Sequence, residues 1–140
     1  MFTFGREHEK KCEAAYVRKP EQVALLMAVV DTVHDLIEGG GDVDALVAAL
    51  RRAFTLGGAG VWENAAKWLR KSGDDYPAVL KLWPEFASDA RAEIRFRAAC
   101  LLNDMPQDAF SSLSPLLLAD RSKKVANMAA NRVEERHGAR

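Results

Sequence analysis

The chain has little of what most catalytic and metal-binding sites are built from. Its 140 residues include two cysteines and three histidines, and 20 basic residues match 20 acidic ones. Cys12 and Cys100 lie far apart inside helical patterns, which suits small buried hydrophobes in a reducing compartment rather than a disulfide framework. His8, His34 and His137 have no second histidine or cysteine at ligand spacing, so no metal and no cofactor is expected. Asp31 and His34 share one helix face, with Asp35 beside them, and read as a solvated polar face. Cys100 has no neighbour that would activate it as a nucleophile. Gly57-Gly58-Ala59-Gly60 lacks the preceding strand and following Lys-Ser/Thr of a phosphate loop, and reads as a turn. Zero formal charge counts against a nucleic-acid binder, whose affinity rests on neutralising phosphates. The segment from Met1 to Lys11 lacks the apolar run of a signal peptide, and no run approaches the roughly 20 apolar residues of a membrane span. The expectation is a soluble, cytoplasmic protein that is not an enzyme.

No stretch alternates with period two, so no strands are expected and the class is all-α. Helical periodicity is plentiful. A first helix spans 6–18, with Cys12, Ala15 and Tyr16 as a narrow apolar stripe. Pro20 opens a second that runs to about Glu38, with Val23, Leu26, Met27, Val30, Val33 and Ile37 on its main face. Asp42 caps a third, and a fourth spans 61–72 between two glycine stops. Asp74-Asp75 starts a fifth, kinked or broken at Pro84. The sixth spans 90–103, the seventh 106–119 with Pro115 inside it, and the eighth 121–136 before a fraying tail. Trp68 is assigned to the core, and Trp83, just before the break at Pro84, to a core or half-buried position.

The last four helices are one hairpin written twice. A shift of 31 residues lays Asp89 on Asp120, Ile94 on Val125, Ala98-Ala99 on Ala129-Ala130, and Pro84 on Pro115. A shift of 33 brings in 42–72, laying Val61 on Ile94 and Ala65-Ala66 on Ala98-Ala99. The hairpins are thus 42–72, 75–103 and 106–136, and 6–38 forms an N-terminal capping pair of a single domain over 1–140. Small residues where second helices cross let the axes approach. The expected architecture is a right-handed α-solenoid of about four antiparallel helix pairs, about eight helices in all.

The segment Asp89-Ala90-Arg91-Ala92-Glu93-Ile94-Arg95-Phe96-Arg97-Ala98-Ala99-Cys100-Leu101-Leu102 resembles the second helix of a HEAT-like repeat: a turn Asp, an aliphatic-Arg pair, two small residues and a Leu. The last hairpin departs at Val125-Ala126 and the one at 42–72 at Val61-Trp62, where the turn Asp is also missing. The resemblance covers about 42–136 and implies a fold that serves many functions. It implies that side chains of the second helices line a concave face, placing Trp62, Arg91, Arg95, Lys124, Asn127 and Asn131 on one partner-binding surface. A tryptophan among arginines suits a protein–protein hot spot and also suits stacking on a base. A structural reading stands beside it, in which Trp62 packs under the 57–60 turn and the arginines pair with Glu63, Glu93 or a neighbouring Asp. The functional expectation is a non-catalytic protein–protein interaction module: an adaptor, an inhibitor, or a bacterial immunity protein that neutralises a toxin or enzyme. The alternative is a nucleic-acid-binding protein related to the HEAT-like DNA glycosylases. A third reading, a HEAT-like lyase, lacks the His-Glu motifs of that group.

Overall fold

A computed structural model describes residues 5–15 and 17–138. These hold eight α-helices, two short 3-10 segments and no strand: α1 Arg6–Ala14, α2 Pro20–Ile37, α3 Val43–Leu56, α4 Val61–Ser72, α5 Leu82–Ala87, α6 Ala92–Cys100, α7 Gln107–Leu118 and α8 Lys123–Gly138. The chain divides into two compact units, Met1–Leu80 and Lys81–Arg140.

In the first unit α2 packs against α1, α3 and α4. Pro20 starts α2 where its missing N–H costs nothing, and Gly39, at φ 85°, lets the chain turn away after Ile37. The buried face of α2 is Leu26, Val29, Val30 and Val33, whereas Ile37, expected on that face, is exposed. The Asp42 carboxylate accepts the Asp44 N–H at 2.9 Å and fixes the start of α3. That helix buries Leu46, Val47, Leu50 and Phe54. Glu63 reaches back to the Gly60 N–H at 2.7 Å to begin α4, which buries Val61, Ala65, Trp68 and Leu69. Each large aliphatic side chain so buried contributes about 1.5–3 kcal/mol relative to exposure.

Helix α1 corrects the sequence reading. It ends at Ala14, Cys12 and Ala15 are exposed, and Tyr16 lies outside the described residues. Its buried residues are Glu9 and Glu13. His34, expected on a solvated face, is 5% exposed and lies 3.7 Å from Glu9. Asp31 and Asp35 do sit on a polar face, where Arg6 and Lys10 engage them. The reason is tertiary: α1 docks through charges whose partners lie on α2 and α4, and Cys12 and Ala15 are left outside.

In the second unit α5 packs on α6 and α7, and α8 on α6 and α7, so like helices of the two hairpins lie together. Pro84 falls in the first turn of α5, and the chain enters that helix through a 3-10 segment, Pro77–Lys81. The expected break therefore falls just before Leu82. Helix α7 continues through Pro115. The repeated aspartates do not begin helices. Asp89 accepts the Arg91 N–H and Asp120 the Ser122 N–H, each at 2.8 Å, forming Asx turns that hand over to α6 and α8. Helix α6 stops at Cys100, which is half-buried, and a 3-10 segment Leu102–Asp104 follows. Helix α8 runs to Gly138 rather than fraying at Arg136. The Arg136 guanidinium donates to the Leu102 and Met105 carbonyls at 3.1 Å and to Gln107 at 2.9 Å, and stacks 4.0 Å from the Phe110 ring.

Candidate interaction surface

Five of the six residues assigned to a partner surface lie on or next to α6 and α8, in the second unit; Trp62 belongs to α4 in the first. The α6–α8 packing is set by small buried residues. Ala98 and Ala129 are both fully buried, with Ile94 and Val125 beside them in sequence register. Two such small buried side chains on packed helices let the axes approach. What remains outside that seam is the candidate surface.

Arg95 is not part of it. It is 6% exposed and joins the two turns of the unit. Nε donates to Asp120 Oδ2 at 2.8 Å and Nη2 to Oδ1 at 3.3 Å, while Nη1 donates to the Asp89 and Ala90 carbonyls at 2.9 and 3.0 Å. Its position as a reader on an open face is therefore corrected: the guanidinium is a bidentate tie between successive turns. Burial pushes the Asp120 carboxyl up, but the hydrogen bonds from Arg95 and the Ser122 amide outweigh it and leave the group below the ordinary carboxylate value. A cleft of about 570 Å³ opens beside this tie, lined by Ser88, Asp89, Leu116 and Arg121 among others.

Arg91 is exposed but held. Its Nε and Nη2 grip Asp89 at 2.9 and 3.0 Å, and the guanidinium holds the Asp89 carboxyl below its usual range. Both arginines thus pair with an aspartate of a turn. Lys124 is exposed on α8, with its ammonium 4.5 Å from the centre of the half-buried Phe96 ring on α6, a cation–π contact between neighbouring helices. Asn127 and Asn131 follow at i+3 and i+7, so the three share one face of α8. Both asparagines are exposed, and among the described residues neither is held by a side-chain hydrogen bond. Trp62 is half-buried in its own unit, edge-on to Phe54 at 5.9 Å and 80°.

No family model, curated protein or solved structure matches the chain.

The sequence reading missed how the second unit uses its arginines. Arg97 is buried and donates to Glu93 at 2.9 Å; Arg132 donates to the Cys100 carbonyl at 2.8 Å. With Arg95 and Arg136, four guanidiniums hold carbonyls or carboxylates of their own unit. A sequence signal existed for Arg97, since Glu93 lies one helical turn before it. Arg132 also pairs with Glu135 at i+3, which the sequence could show, but the backbone acceptors of Arg132 and Arg136 lie about 30 residues away in sequence, at 32 and 31–34 positions, which no side-chain pattern announces. Among the described residues no cluster of three or more metal-ligating side chains occurs, and no helix is long and apolar enough to cross a membrane.

Proposed function

We propose that the chain is a non-catalytic protein-binding module of the HEAT-like helical-repeat kind, which meets its partner with the exposed face of α6 and α8. The observation that carries this reading is the row Lys124, Asn127 and Asn131 along α8, beside Phe96. It is a polar surface with an aromatic base whose amides are not engaged internally. Side-chain amides and an ammonium over a ring are suited to a protein surface, where hydrogen bonds at a rim surround an aromatic anchor. The narrower role within the proposal is that of an inhibitor or immunity protein that blocks a toxin or enzyme by occluding it, which needs shape and hydrogen bonds but no chemistry.

The alternative, a nucleic-acid binder related to DNA glycosylases, draws on the exposed Arg121, Lys123 and Lys124 at the start of α8. It has less behind it, because four arginines of that unit already serve internal acceptors and so add little to phosphate neutralisation.

The test is capture from a lysate on immobilised wild type and on a Lys124→Ala/Asn127→Ala/Asn131→Ala variant whose helicity and melting match the wild type. The expected outcome is one protein retained by the wild type and lost by the variant. Equal recovery on both supports rejects the α6–α8 face. Retention on DNA that falls steeply between about 50 and 200 mM salt would favour the alternative.

A further inference from the structure

Helix α1 is docked in a way that sets it apart from the other seven. Isolated helices of nine residues are marginal in water, so α1 must be held by what it touches. Its buried residues are Glu9 and Glu13, with Ala14 half-buried, and its sulfur side faces solvent. Arg6 reaches Asp31 at 3.3 Å and Asp35 at 2.8 Å on α2 and Glu38 at 3.0 Å just past its end, and Lys10 reaches Asp31 at 3.2 Å. Glu13, 3% exposed, accepts the Trp68 Nε1–H at 3.0 Å and pairs with Lys67, both on α4. Arg6, Glu9, Lys10 and Glu13 follow i, i+3, i+4 and i+7, so one stripe of the helix carries every one of these contacts. The stripe is amphoteric and matches an acidic wall on α2 and a basic, indole-bearing wall on α4.

The match is incomplete. Glu9 Oε1, Glu13 Oε2 and His34 Nε2 are buried without a hydrogen-bond partner, and the Glu9–His34 approach of 3.7 Å is ion-pair range but too long for a hydrogen bond. Orphaned polar atoms weaken docking, and little apolar burial compensates for them. The retaining force is therefore mainly Coulombic, and the Arg6 and Lys10 pairs lie where solvent ions reach them.

We infer that α1 is a strap held by charge, which detaches from α2 and α4 as a unit when ionic strength rises while the α2–α4 core stays folded. Release parts Glu13 from the Trp68 indole N–H and the Lys67 ammonium that it engages in the docked helix.

Hydrogen exchange of the full chain, read by mass spectrometry in about 0.05 M and 1 M sodium chloride, tests this, because the screening length shrinks several-fold between them. Protection of the α1 amides is expected to fall about tenfold or more in high salt, with the amides of α2 and α3 unchanged. An Arg6→Ala/Lys10→Ala variant is expected to reproduce that loss in low salt and to remove most of its salt dependence. The inference is overturned if α1 exchanges in step with α2 at both salts, or if the variant keeps wild-type protection at α1.

Discussion

Consider removal of Arg95. The guanidinium makes two bonds to Asp120 and two to turn carbonyls, and the side chains of Arg95 and Asp120 are both 8% exposed. Breaking a buried ion pair by deleting one partner costs ~3–5 kcal/mol, because the other charge is left buried. The cleft beside the pair admits water, which places Arg95→Ala at the lower end, about 3 kcal/mol. Asp120→Ala should cost less, about 2 kcal/mol, since the guanidinium keeps its two carbonyl acceptors. The double variant should cost about as much as Arg95→Ala alone, a coupling of about 2 kcal/mol. Native-state hydrogen exchange of α6 and α8 amides against urea reports the unit concerned. The pH dependence has a definite sign. The folded Asp120 carboxyl titrates below its ordinary value, so its contribution is present above about pH 4 and is lost as pH falls through the folded value. The gap between wild type and Arg95→Ala should be constant from neutral pH down to about 5 and shrink below about 4. Single-variant costs under about 0.5 kcal/mol, or strict additivity, would refute the tie and leave an ordinary surface pair.

Three further outcomes follow from the packing. Leu in place of Ala98 or Ala129, both fully buried at the α6–α8 seam, should overpack it and cost about 1–3 kcal/mol, and unchanged melting would contradict the crossing described. Glu13→Ala should destabilise the first unit by about 1–3 kcal/mol by leaving the Trp68 N–H without its acceptor, while Glu13→Gln, which keeps an acceptor oxygen, should cost less in the same melting assay. Asp89→Ala should cost about 1 kcal/mol through loss of the Asx turn and the Arg91 clamp, and Asp89→Asn about half that; equal losses in urea titrations would assign the effect to charge rather than to the turn.

Much of the fold was legible because local signals agreed. The 31-residue shift placed Ile94 and Val125, Ala98 and Ala129, and the turn aspartates Asp89 and Asp120 in equivalent settings, and each pair is found so. Proline and glycine punctuation placed most helix ends within two or three residues. The errors share one cause. His34 was read as solvated and Arg95 as outward-facing, and Glu9 and Glu13 were not singled out, because their own helices gave no reason to bury them. Their partners lie far along the chain: Glu13 meets Lys67 and Trp68 at separations of 54 and 55 residues, and Arg95 meets Asp120 at 25. Periodicity reports which face is apolar and is silent about a polar face whose counterpart is remote. Cys12 shows the converse, an apolar residue left outside because the polar side of its helix had the better partner. On the candidate surface, Lys124, Asn127 and Asn131 were legible as one face of a helix, whereas Arg95 is set apart from them by a partner 25 residues away.

The Arg95 tie is directional. A guanidinium on the second helix of one hairpin takes hold of the turn aspartate of the hairpin that follows. One repeat later the equivalent of Arg95 is Ala126, which has no group to offer a further turn. This makes extension a matter of grammar as well as of shape. A copy of 106–136 grafted after α8 would find no latch at position 126, and its junction should open before the rest. Installing Ala126→Arg, with the graft supplying the aspartate, would write the missing link at that junction.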